Sequence, residues 1–223
     1  MTRIARALAS GLPHHAVQRG NNKDKVFLDD EDFEKYRHLL VKYSVRWECP
    51  ILSYCLMSNH VHLLLRPLTD CALPKMMQGT ALCYTQYFNK KYSRSGRLWE
   101  SRYYSCIVDS ERYLWAVARY IEQNPVRAGL VKCESEYHLS SARAHLGVVR
   151  DAVLGEDLFA GSERDDYVAS LGTTPSPDDL GRLRQSLRTG IPLGTEGFVG
   201  EMEKRLNRSI SPGRRGRPCW RQS

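Results

Sequence analysis

Two histidines one residue apart, His60 and His62, form the pattern with the clearest chemical potential in the sequence. They lie in the apolar run Asn59-His60-Val61-His62-Leu63-Leu64-Leu65. Side chains alternate between the two faces of a β-strand, so on a strand both imidazoles share one face, about 7 Å apart. Two imidazoles placed in this way can bind one divalent metal ion. The alternative is a pair of buried histidines whose hydrogen bonds are satisfied within the core.

A third ligand and a nucleophile are offered by a predicted helix that ends at Asn124. Tyr120 and Asn124 are four residues apart, so they share one face of that helix. The amide oxygen of Asn124 suits Mg²⁺ or Mn²⁺, and the Tyr120 phenol is the candidate nucleophile. A lone tyrosine in such a position is more often an amphipathic residue at the edge of the core. Tyr113 is the rival nucleophile, and Glu122 is another possible ligand.

The elements that must position these residues follow from hydrophobic periodicity and turn signals. Strands are predicted at residues 15–19, 50–57, 60–66 and 103–108, and helices at 29–43, 73–92 and 110–124. The first six elements, in the order βαββαβ, predict an α+β fold with a ferredoxin-like core and an antiparallel sheet. The added helix after the fourth strand carries Tyr120. Short helices are predicted at 178–187 and 195–206.

Composition excludes several classes of protein. With 223 residues, of which 42% are hydrophobic and 26% charged, the chain is neither fibrous nor wholly disordered. No apolar run approaches the ~18 residues that a membrane span needs. Arg6 interrupts any secretory signal, so we expect a cytoplasmic protein without a membrane partner. The seven cysteines form no CxxC pair and are typical of reduced core residues.

The positive charge is concentrated at the C-terminal end. Residues 180–223 carry a net charge of +7, whereas the first 179 residues carry +1. A basic tail indicates a polyanionic partner, most often nucleic acid, although a solubilising terminus is the alternative. The segment Arg215-Gly216-Arg217-Pro218 is similar to an AT-hook core, which would place Arg215 and Arg217 in the minor groove of A·T-rich duplex. A generic phosphate-binding tail would explain the same charges.

Four ordered segments together resemble the REP-associated tyrosine transposases, a branch of the HUH endonucleases. The resemblance covers about residues 10–147, and Ser58 departs from the common pattern at a turn where relatives often have Pro. The segments are Pro13-His14-His15-Ala16-Val17-Gln18-Arg19-Gly20-Asn21-Asn22, Tyr54-Cys55-Leu56-Met57-Ser58-Asn59-His60-Val61-His62-Leu63-Leu64-Leu65, Leu98-Trp99-Glu100-Ser101-Arg102-Tyr103-Tyr104 and Tyr120-Ile121-Glu122-Gln123-Asn124-Pro125-Val126-Arg127-Ala128-Gly129-Leu130-Val131.

The resemblance implies a function and its site residues. The HUH motif falls on His60-Val61-His62, which would hold Mg²⁺ or Mn²⁺, and the nucleophilic tyrosine falls on Tyr120. Asn124 is the candidate third ligand on its helical spacing alone. The implied reaction is cleavage and transfer of single-stranded DNA through a 5′-phosphotyrosine, at hairpin or repeat sequences. A DNA-binding regulator that has lost catalysis is the alternative. A replication-initiator nickase of the same superfamily is the third reading, but no helicase segment follows.

The resemblance also completes the expected organisation of the chain. We expect a catalytic domain over residues 1–147, a helical region over 148–208 and a disordered basic tail over 209–223. A bacterial, nucleoid-associated protein that is a monomer or a homodimer is expected. The residues expected to contact DNA are basic or amide-bearing, namely Arg19, Asn21, Asn22, Lys23, Arg97, Arg102, Arg127, Arg215 and Arg217. Further cations (Lys25, Lys90, Lys91, Arg94) and aromatic residues (Tyr84, Tyr87, Tyr92, Trp99, Tyr103, Tyr104) are interleaved with them, a mixture that suits a single strand. The alternative, which we expect for about half of these residues, is a solvated basic face with aromatic residues in the core.

Overall fold

The computed structural model describes residues 6–109, 113–159, 163–173 and 176–210. Its sheet contains four strands, β1 (His14–Arg19), β2 (Ile51–Met57), β3 (His60–Leu65) and β4 (Tyr104–Ile107). The order across the sheet is β2-β3-β1-β4, and every neighbouring pair is antiparallel. This is the order of a ferredoxin-like βαββαβ unit, so the predicted α+β core is confirmed.

Two long helices cover one face of the sheet. They are α1 (Asp30–Arg46) and α2 (Ala72–Lys91). The side chain of Asp29 caps α1 by accepting a hydrogen bond from a main-chain N–H of the first turn, as expected for an acidic helix start. A Cβ at Gly79 of α2 would lie 2.5 Å from a ring carbon of Tyr43, so the glycine allows the two helices to approach closely. Apolar side chains of both helices and of this sheet face form the larger core.

The opposite face carries the helix with the candidate nucleophile. This helix, α3, spans Leu114–Glu122, and after Gln123 the single turn α4 spans Asn124–Arg127. The prediction of one continuous helix to Asn124 is therefore wrong. Pro125 lies in the first turn of α4, where a proline is tolerated because its missing N–H has no partner within the helix. Ser110, the predicted start of this helix, lies outside the described residues.

The C-terminal part of the chain packs back onto the same sheet. Its helices are α5 (Ala142–His145), α6 (Glu163–Leu171), α7 (Pro177–Thr189) and α8 (Glu196–Arg205). The last two correspond to the two predicted short helices, whereas α6 was not predicted. Side chains from beyond residue 147 join the cores on both faces of the sheet, and the domain limits at 147 and 208 stay a prediction. Among the described residues, no helix combines the length and apolarity needed to cross a bilayer.

Loops from this C-terminal part also run along both edges of the sheet. At the β4 edge, Leu193 donates its main-chain N–H to Ile107 O, at an N···O distance of 2.8 Å, and lies in a parallel bridge with Val108. At the β2 edge, Leu56 N donates to Leu139 O (2.9 Å) and Gly155 N donates to Ile51 O (3.0 Å). Main-chain groups of both outer strands are thus paired within the chain.

Candidate active site

The predicted histidine pair lies on the sheet face that α3 covers. His60 and His62 alternate with Val61 along β3, and their ring centroids are 5.0 Å apart. His62 is only 5% exposed, whereas His60, at the start of the strand, is partly buried. The strand alternation that predicted a shared face is therefore correct.

A third histidine, His15 on β1, completes the group and was missed by the sequence analysis. Its Nε2 lies 3.0 Å from His62 Nδ1, and the ring centroids are 5.3 Å apart. β1 and β3 are neighbours, with His15 opposite Leu64 and His62 opposite Val17, so the two histidines are diagonal neighbours on one face. His15 is visible in the sequence, but only the pairing of β1 with β3 places its side chain beside His62. Local sequence patterns do not predict that pairing.

Tyr120 lies over this histidine group. Its ring centroid is 5.8 Å from that of His62 and 5.9 Å from that of His15, both in edge-to-face geometry. The apolar stripe of α3, including Val117 and Ile121, packs into the core on this sheet face and fixes the height of the tyrosine above the sheet. Tyr113 is about 10 Å further back along the helix axis, with its hydroxyl 3.5 Å from Arg182 Nη1. The structure thus brings Tyr120 to the histidines.

The residues just after Tyr120 close the end of α3. The amide Nδ2 of Asn124 donates to the carbonyl oxygens of Tyr120 (3.1 Å) and Ile121 (2.9 Å). Arg127 Nη2 donates to the same Tyr120 oxygen at 2.6 Å. These bonds satisfy carbonyls that have no partner within the helix. The Asn124 amide therefore has a structural role, and its role as a metal ligand through Oδ1 stays a prediction.

Glu122, considered above as an alternative ligand, belongs to a separate buried cluster. Its carboxylate is fully buried and accepts hydrogen bonds from four side chains of other segments. The donors are Ser53 Oγ (3.2 Å), Ser141 Oγ (2.5 Å), His145 Nδ1 (2.6 Å) and Tyr167 OH (2.8 Å). We call this group the Glu122 cluster. It anchors the C-terminal end of α3 to β2, α5 and α6, and sequence spacing gave no sign of it.

Burial sets the protonation of the histidine group. Desolvation lowers the pKa of His60 to about 4, with a smaller contribution from Arg19, and lowers the pKa of His15 to about 3. Desolvation also places the pKa of His62 well below its usual value, and the neighbouring His15 and His60 add to this. All three imidazoles are therefore neutral at physiological pH, the form in which histidine binds a metal.

The donor set fits a divalent ion at two nitrogens. His60 Nδ1 faces Asn59 Oδ1 at 2.6 Å and His62 Nδ1 faces His15, so in each ring Nε2 remains for a ligand bond. Among the described residues, no group of three or more His, Cys, Asp or Glu side chains could hold a metal. This finding excludes Glu122 as a partner of the histidine pair and leaves amide, substrate and water oxygens for the other positions.

Comparison with known proteins identifies this arrangement. Residues 9–124, more than half of the chain, match the family described as "Transposase IS200 like". The chain belongs to the IS200-like transposase family. The prediction of a tyrosine transposase, a DNA-cleaving enzyme, is confirmed. The matched residues run from the segment before β1 to Asn124, so they contain the histidines and Tyr120, whereas α5 to α8 lie beyond them.

Solved structures are similar to the transposase, and the one with a TM-score above 0.5 supports its fold. One is the structure of a REP-associated tyrosine transposase bound to a REP hairpin, with a TM-score of 0.53, 15% identity and coverage of 73% of this chain and 96% of that chain. Another is a transposase-like protein from Deinococcus radiodurans R1, with a TM-score of 0.39, 18% identity and coverage of 55% and 97%. No curated protein matches the sequence.

Several of the predicted DNA-contacting residues gather at the end of β1 that adjoins His60. Arg19 pairs with His60 in the sheet register. The loop around residue 99 runs beside this end, because Asn21 N donates to Leu98 O (2.8 Å) and Glu100 N donates to Arg19 O (2.9 Å). The loop therefore brings residues 97–102 next to residues 19–23 of the transposase.

The side chains at this end differ in their availability. Asn22, Lys23, Arg97 and Arg102 are exposed. Arg19 forms a 2.9 Å ion pair with Glu100, so a phosphate would have to compete with a carboxylate for it. Arg127 lies elsewhere, against Tyr120 on the helical side of the site. Arg215 and Arg217 lie outside the described residues, and DNA contact by all of these residues stays a prediction.

Part of the expected mixture of basic and aromatic residues is structural. Tyr84, Trp99 and Tyr103 are buried in the main core, so their rings cannot stack on bases. Lys91 is bound by the acidic start of α1, with its Nζ 2.8 Å from Asp29 and 3.1 Å from the fully buried Asp32. For these residues the interpretation as a strand-binding surface is wrong, because core packing and ion pairing already use their side chains.

Proposed function

We propose that this transposase cuts and rejoins single-stranded DNA through a covalent bond to Tyr120, with Mg²⁺ or Mn²⁺ bound by His60 and His62. The observation that supports this most directly is the position of the Tyr120 ring, whose centroid is 5.8 Å from that of His62. The candidate nucleophile lies on helix α3, whereas the candidate metal ligands lie on strand β3. Their convergence on one sheet face is what a shared phosphate site requires.

The proposed step is a displacement at phosphorus. The phenolic oxygen of Tyr120 forms a bond to the scissile phosphorus, and the bond from phosphorus to the 3′-oxygen breaks. The phenol loses its proton and the leaving oxygen gains one, so the products are a 5′-phosphotyrosine and a free 3′-hydroxyl. The energy of the phosphodiester stays in the tyrosine ester, so attack by a 3′-hydroxyl rejoins a strand without ATP.

In the proposed reaction a metal ion would stabilise charge, and the protein would position the metal and the nucleophile. When bound, a divalent ion polarises the scissile phosphate and offsets the charge of the transition state. The chain supplies two neutral imidazoles with Nε2 available, and Asn124 and Arg127 hold the main chain of Tyr120 at the end of α3. The fully buried Glu122 fixes the same helix end from the other side.

The proposed substrate is single-stranded DNA next to a hairpin or repeat. The similar solved structure is bound to a REP hairpin, and this chain has exposed cations at the end of β1 that adjoins His60. Lys23, Arg97 and Arg102 would neutralise backbone phosphates there. An unpaired strand suits the site, because a tyrosine held over a sheet, edge-to-face with two histidines, needs a scissile phosphate that can bend toward it.

A covalent trapping assay tests the nucleophile. The transposase is incubated with single-stranded hairpin oligonucleotides and Mn²⁺ or Mg²⁺, and a protein–DNA band is sought after denaturation. We expect Tyr120→Phe to abolish the band and to leave DNA binding nearly unchanged, because only the hydroxyl is removed. Tyr113→Phe is the matched control and should retain the band. A band that persists in Tyr120→Phe and vanishes in Tyr113→Phe would reverse the assignment.

Metal dependence has a separate test. We expect EDTA, His60→Ala and His62→Ala each to remove cleavage, and both substitutions to weaken Mn²⁺ binding measured by titration calorimetry. Asn124→Ala should weaken Mn²⁺ binding less. Full cleavage in EDTA would overturn the metal-dependent mechanism. If the transposase binds hairpins tightly but forms no adduct with either ion, a DNA-binding regulator becomes the better description.

A further inference from the structure

The side chain of Asn59 has a single orientation that satisfies both of its neighbours. Its Nδ2 lies 3.1 Å from the main-chain oxygen of Lys23, and its Oδ1 lies 2.6 Å from His60 Nδ1. A carbonyl oxygen can only accept, so the amide nitrogen must face Lys23 and the amide oxygen must face His60. That amide oxygen is itself only an acceptor. The hydrogen in its bond to His60 must therefore sit on Nδ1 of the imidazole.

This bond determines which nitrogen of His60 is free. In a neutral imidazole one nitrogen carries the hydrogen and the other has a lone pair. We propose that Asn59 is a positioning residue that holds His60 in the Nδ1–H tautomer, so that the Nε2 lone pair points away from the amide and is available to a metal. The tautomer does not depend on the proposed function, but its use as a ligand does.

The turn that follows β1 determines the orientation of the Asn59 side chain. Asn22 and Lys23 have left-handed backbone angles, with φ of 52° and 63°, and this conformation directs the Lys23 carbonyl toward Asn59. Gly20 at the start of the turn donates its N–H to Asn59 O at 2.8 Å. A Cβ on Gly20 would lie 2.2 Å from Asp24 O, so only glycine fits there.

The same chain segment also fixes the residue before Asn59. The main-chain N–H groups of Val26 and Phe27 both donate to Ser58 O, at 2.8 and 3.1 Å. The tip of the β2–β3 hairpin is therefore bonded to residues 20–27 at several points. The turn at Asn21–Lys23, whose residues are also predicted to contact DNA, thus acquires a second role through its main chain.

His62 differs from His60 and serves as an internal reference. Its Nδ1 faces another imidazole nitrogen, Nε2 of His15, at 3.0 Å. An imidazole nitrogen can donate or accept, so this partner does not impose a tautomer on His62. Of the two histidines in the motif, only His60 has an Nδ1 partner, Asn59 Oδ1, that can accept but not donate a hydrogen bond. This partner requires the ring hydrogen of His60 to be on Nδ1.

Nuclear magnetic resonance of the metal-free protein tests the proposal directly. Long-range ¹H–¹⁵N spectra at pH 7.5 distinguish the two neutral tautomers of each histidine. We expect the Nδ1–H form for His60 in the parent protein and a shift toward the Nε2–H form in Asn59→Ala. Asn59→Asp retains an acceptor and should restore the Nδ1–H form. Detection of Nε2–H in the parent, or no change in Asn59→Ala, would overturn the proposal.

Lys23→Gly is the matched control for the turn. Glycine keeps the carbonyl that Asn59 uses and favours the left-handed backbone, while it removes the charged side chain. The His60 tautomer should be unchanged in this variant, and a change would contradict the assigned role of the Lys23 carbonyl.

A Mn²⁺ titration links the tautomer to the metal site. Loss of an outer partner of a ligating histidine weakens metal binding by about 10–100-fold, so we expect this loss in Asn59→Ala and no loss in Lys23→Gly. Equal affinity in Asn59→Ala and the parent would overturn the role of Asn59 at the metal. If the parent shows the Nδ1–H tautomer but binds no Mn²⁺, the tautomer assignment stands and the proposed metal dependence fails.

Discussion

The guanidinium carbon of Arg127 lies 4.2 Å from the ring centroid of Tyr120, so a cation covers one face of the proposed nucleophile. Burial lowers the pKa of Arg127, which is only partly exposed beside this ring. Its Nη2 is bonded to the Tyr120 carbonyl, and its Nη1 is buried without a hydrogen-bond partner among the described residues. The arginine thus holds the tyrosine through its ring face and its main-chain carbonyl, and one buried N–H group of the guanidinium has no acceptor among the described residues.

We expect Arg127→Lys to slow covalent adduct formation by about 2- to 30-fold. A cation over an aromatic face contributes about 0.5–2 kcal/mol, and an ammonium cannot stack and donate in the same planar way. The rate is measured in single turnover with saturating oligonucleotide. Arg119→Lys is the control, since Arg119 lies on the same helix but is bonded to Ser170 O and Thr173 Oγ1. Equal rates in both variants would show that Arg127 does not act on Tyr120.

Glu122→Gln should destabilise the transposase by about 2–4 kcal/mol, because a neutral amide replaces a buried carboxylate that accepts four hydrogen bonds. The amide would also place N–H groups against donors. Urea denaturation measures the change, with the exposed Glu48→Gln as a control that should shift stability by less than about 0.5 kcal/mol. If Glu122→Gln proves as mild as its control, the cluster does not anchor α3.

Acid should destabilise the fold through His14. Burial lowers its pKa from 6.5 to about 4, and its two nitrogens are bonded to Leu12 O (2.8 Å) and Ala9 N (3.3 Å). A second proton would break the Ala9 bond, in which the ring accepts. Between these two pKa values the unfolded chain takes up a proton that the folded chain excludes. The contribution to stability is therefore complete above about pH 6.5 and declines as the pH falls toward 4.

His14→Gln should remove this contribution. The slope of the unfolding free energy against pH, obtained from urea denaturation at pH 5 to 7, should flatten by up to about 1.4 kcal/mol per pH unit. Other buried histidines leave a residual slope. A slope identical to that of the parent protein would mean that His14 is already charged in the folded state.

The basic tail should increase the affinity for DNA and take no part in cleavage. The tail, residues 209–223, contains Arg214, Arg215, Arg217 and Arg221 and no acidic residue. If all four contact phosphates, their deletion should reduce the slope of log K against log salt concentration by roughly 3, at about 0.7–0.9 per contact. Cleavage of a saturating short oligonucleotide should persist, and the full-length chain with the four arginines changed to glutamine should behave like the deletion.

Two DNA duplexes distinguish the two interpretations of the tail. An AT-hook should make the affinity loss larger on A·T-rich than on G·C-rich duplex, because arginines enter the narrow minor groove of A·T runs. An equal loss on both would leave a phosphate-binding tail. No loss on either would contradict any role of the tail in DNA binding.

The features that sequence could predict are those set by local periodicity. Apolar runs bounded by turn signals predicted the strands, and the two-residue repeat of strand side chains placed His60 and His62 on one face without knowledge of the rest of the fold. Tyr120 was assigned through family resemblance, since nothing local to the helix separates it from Tyr113. The break at Gln123 was missed because the apolar spacing continues across it.

The features that escaped prediction depend on contacts between distant segments. His15 reaches His62 only through the pairing of β1 with β3, 47 residues away along the chain. The donors to Glu122 come from β2, α5, α6 and the residue before α5, and no spacing rule connects them. Lys91 resembles a free surface cation in sequence, yet the acidic start of α1 binds it. In each case tertiary packing, rather than local propensity, decides the outcome.

The loops that run along both outer strands limit how copies of the transposase can associate. An open strand edge is a template on which another chain can add a strand, the route to sheet-extended dimers and to aggregates. Here Leu139 and Gly155 bond to β2, and Leu193 bonds to the end of β4. These positions are therefore closed to intermolecular strand addition. A second chain that adds a strand at either edge would have to displace these loops or pair beyond the positions that they occupy.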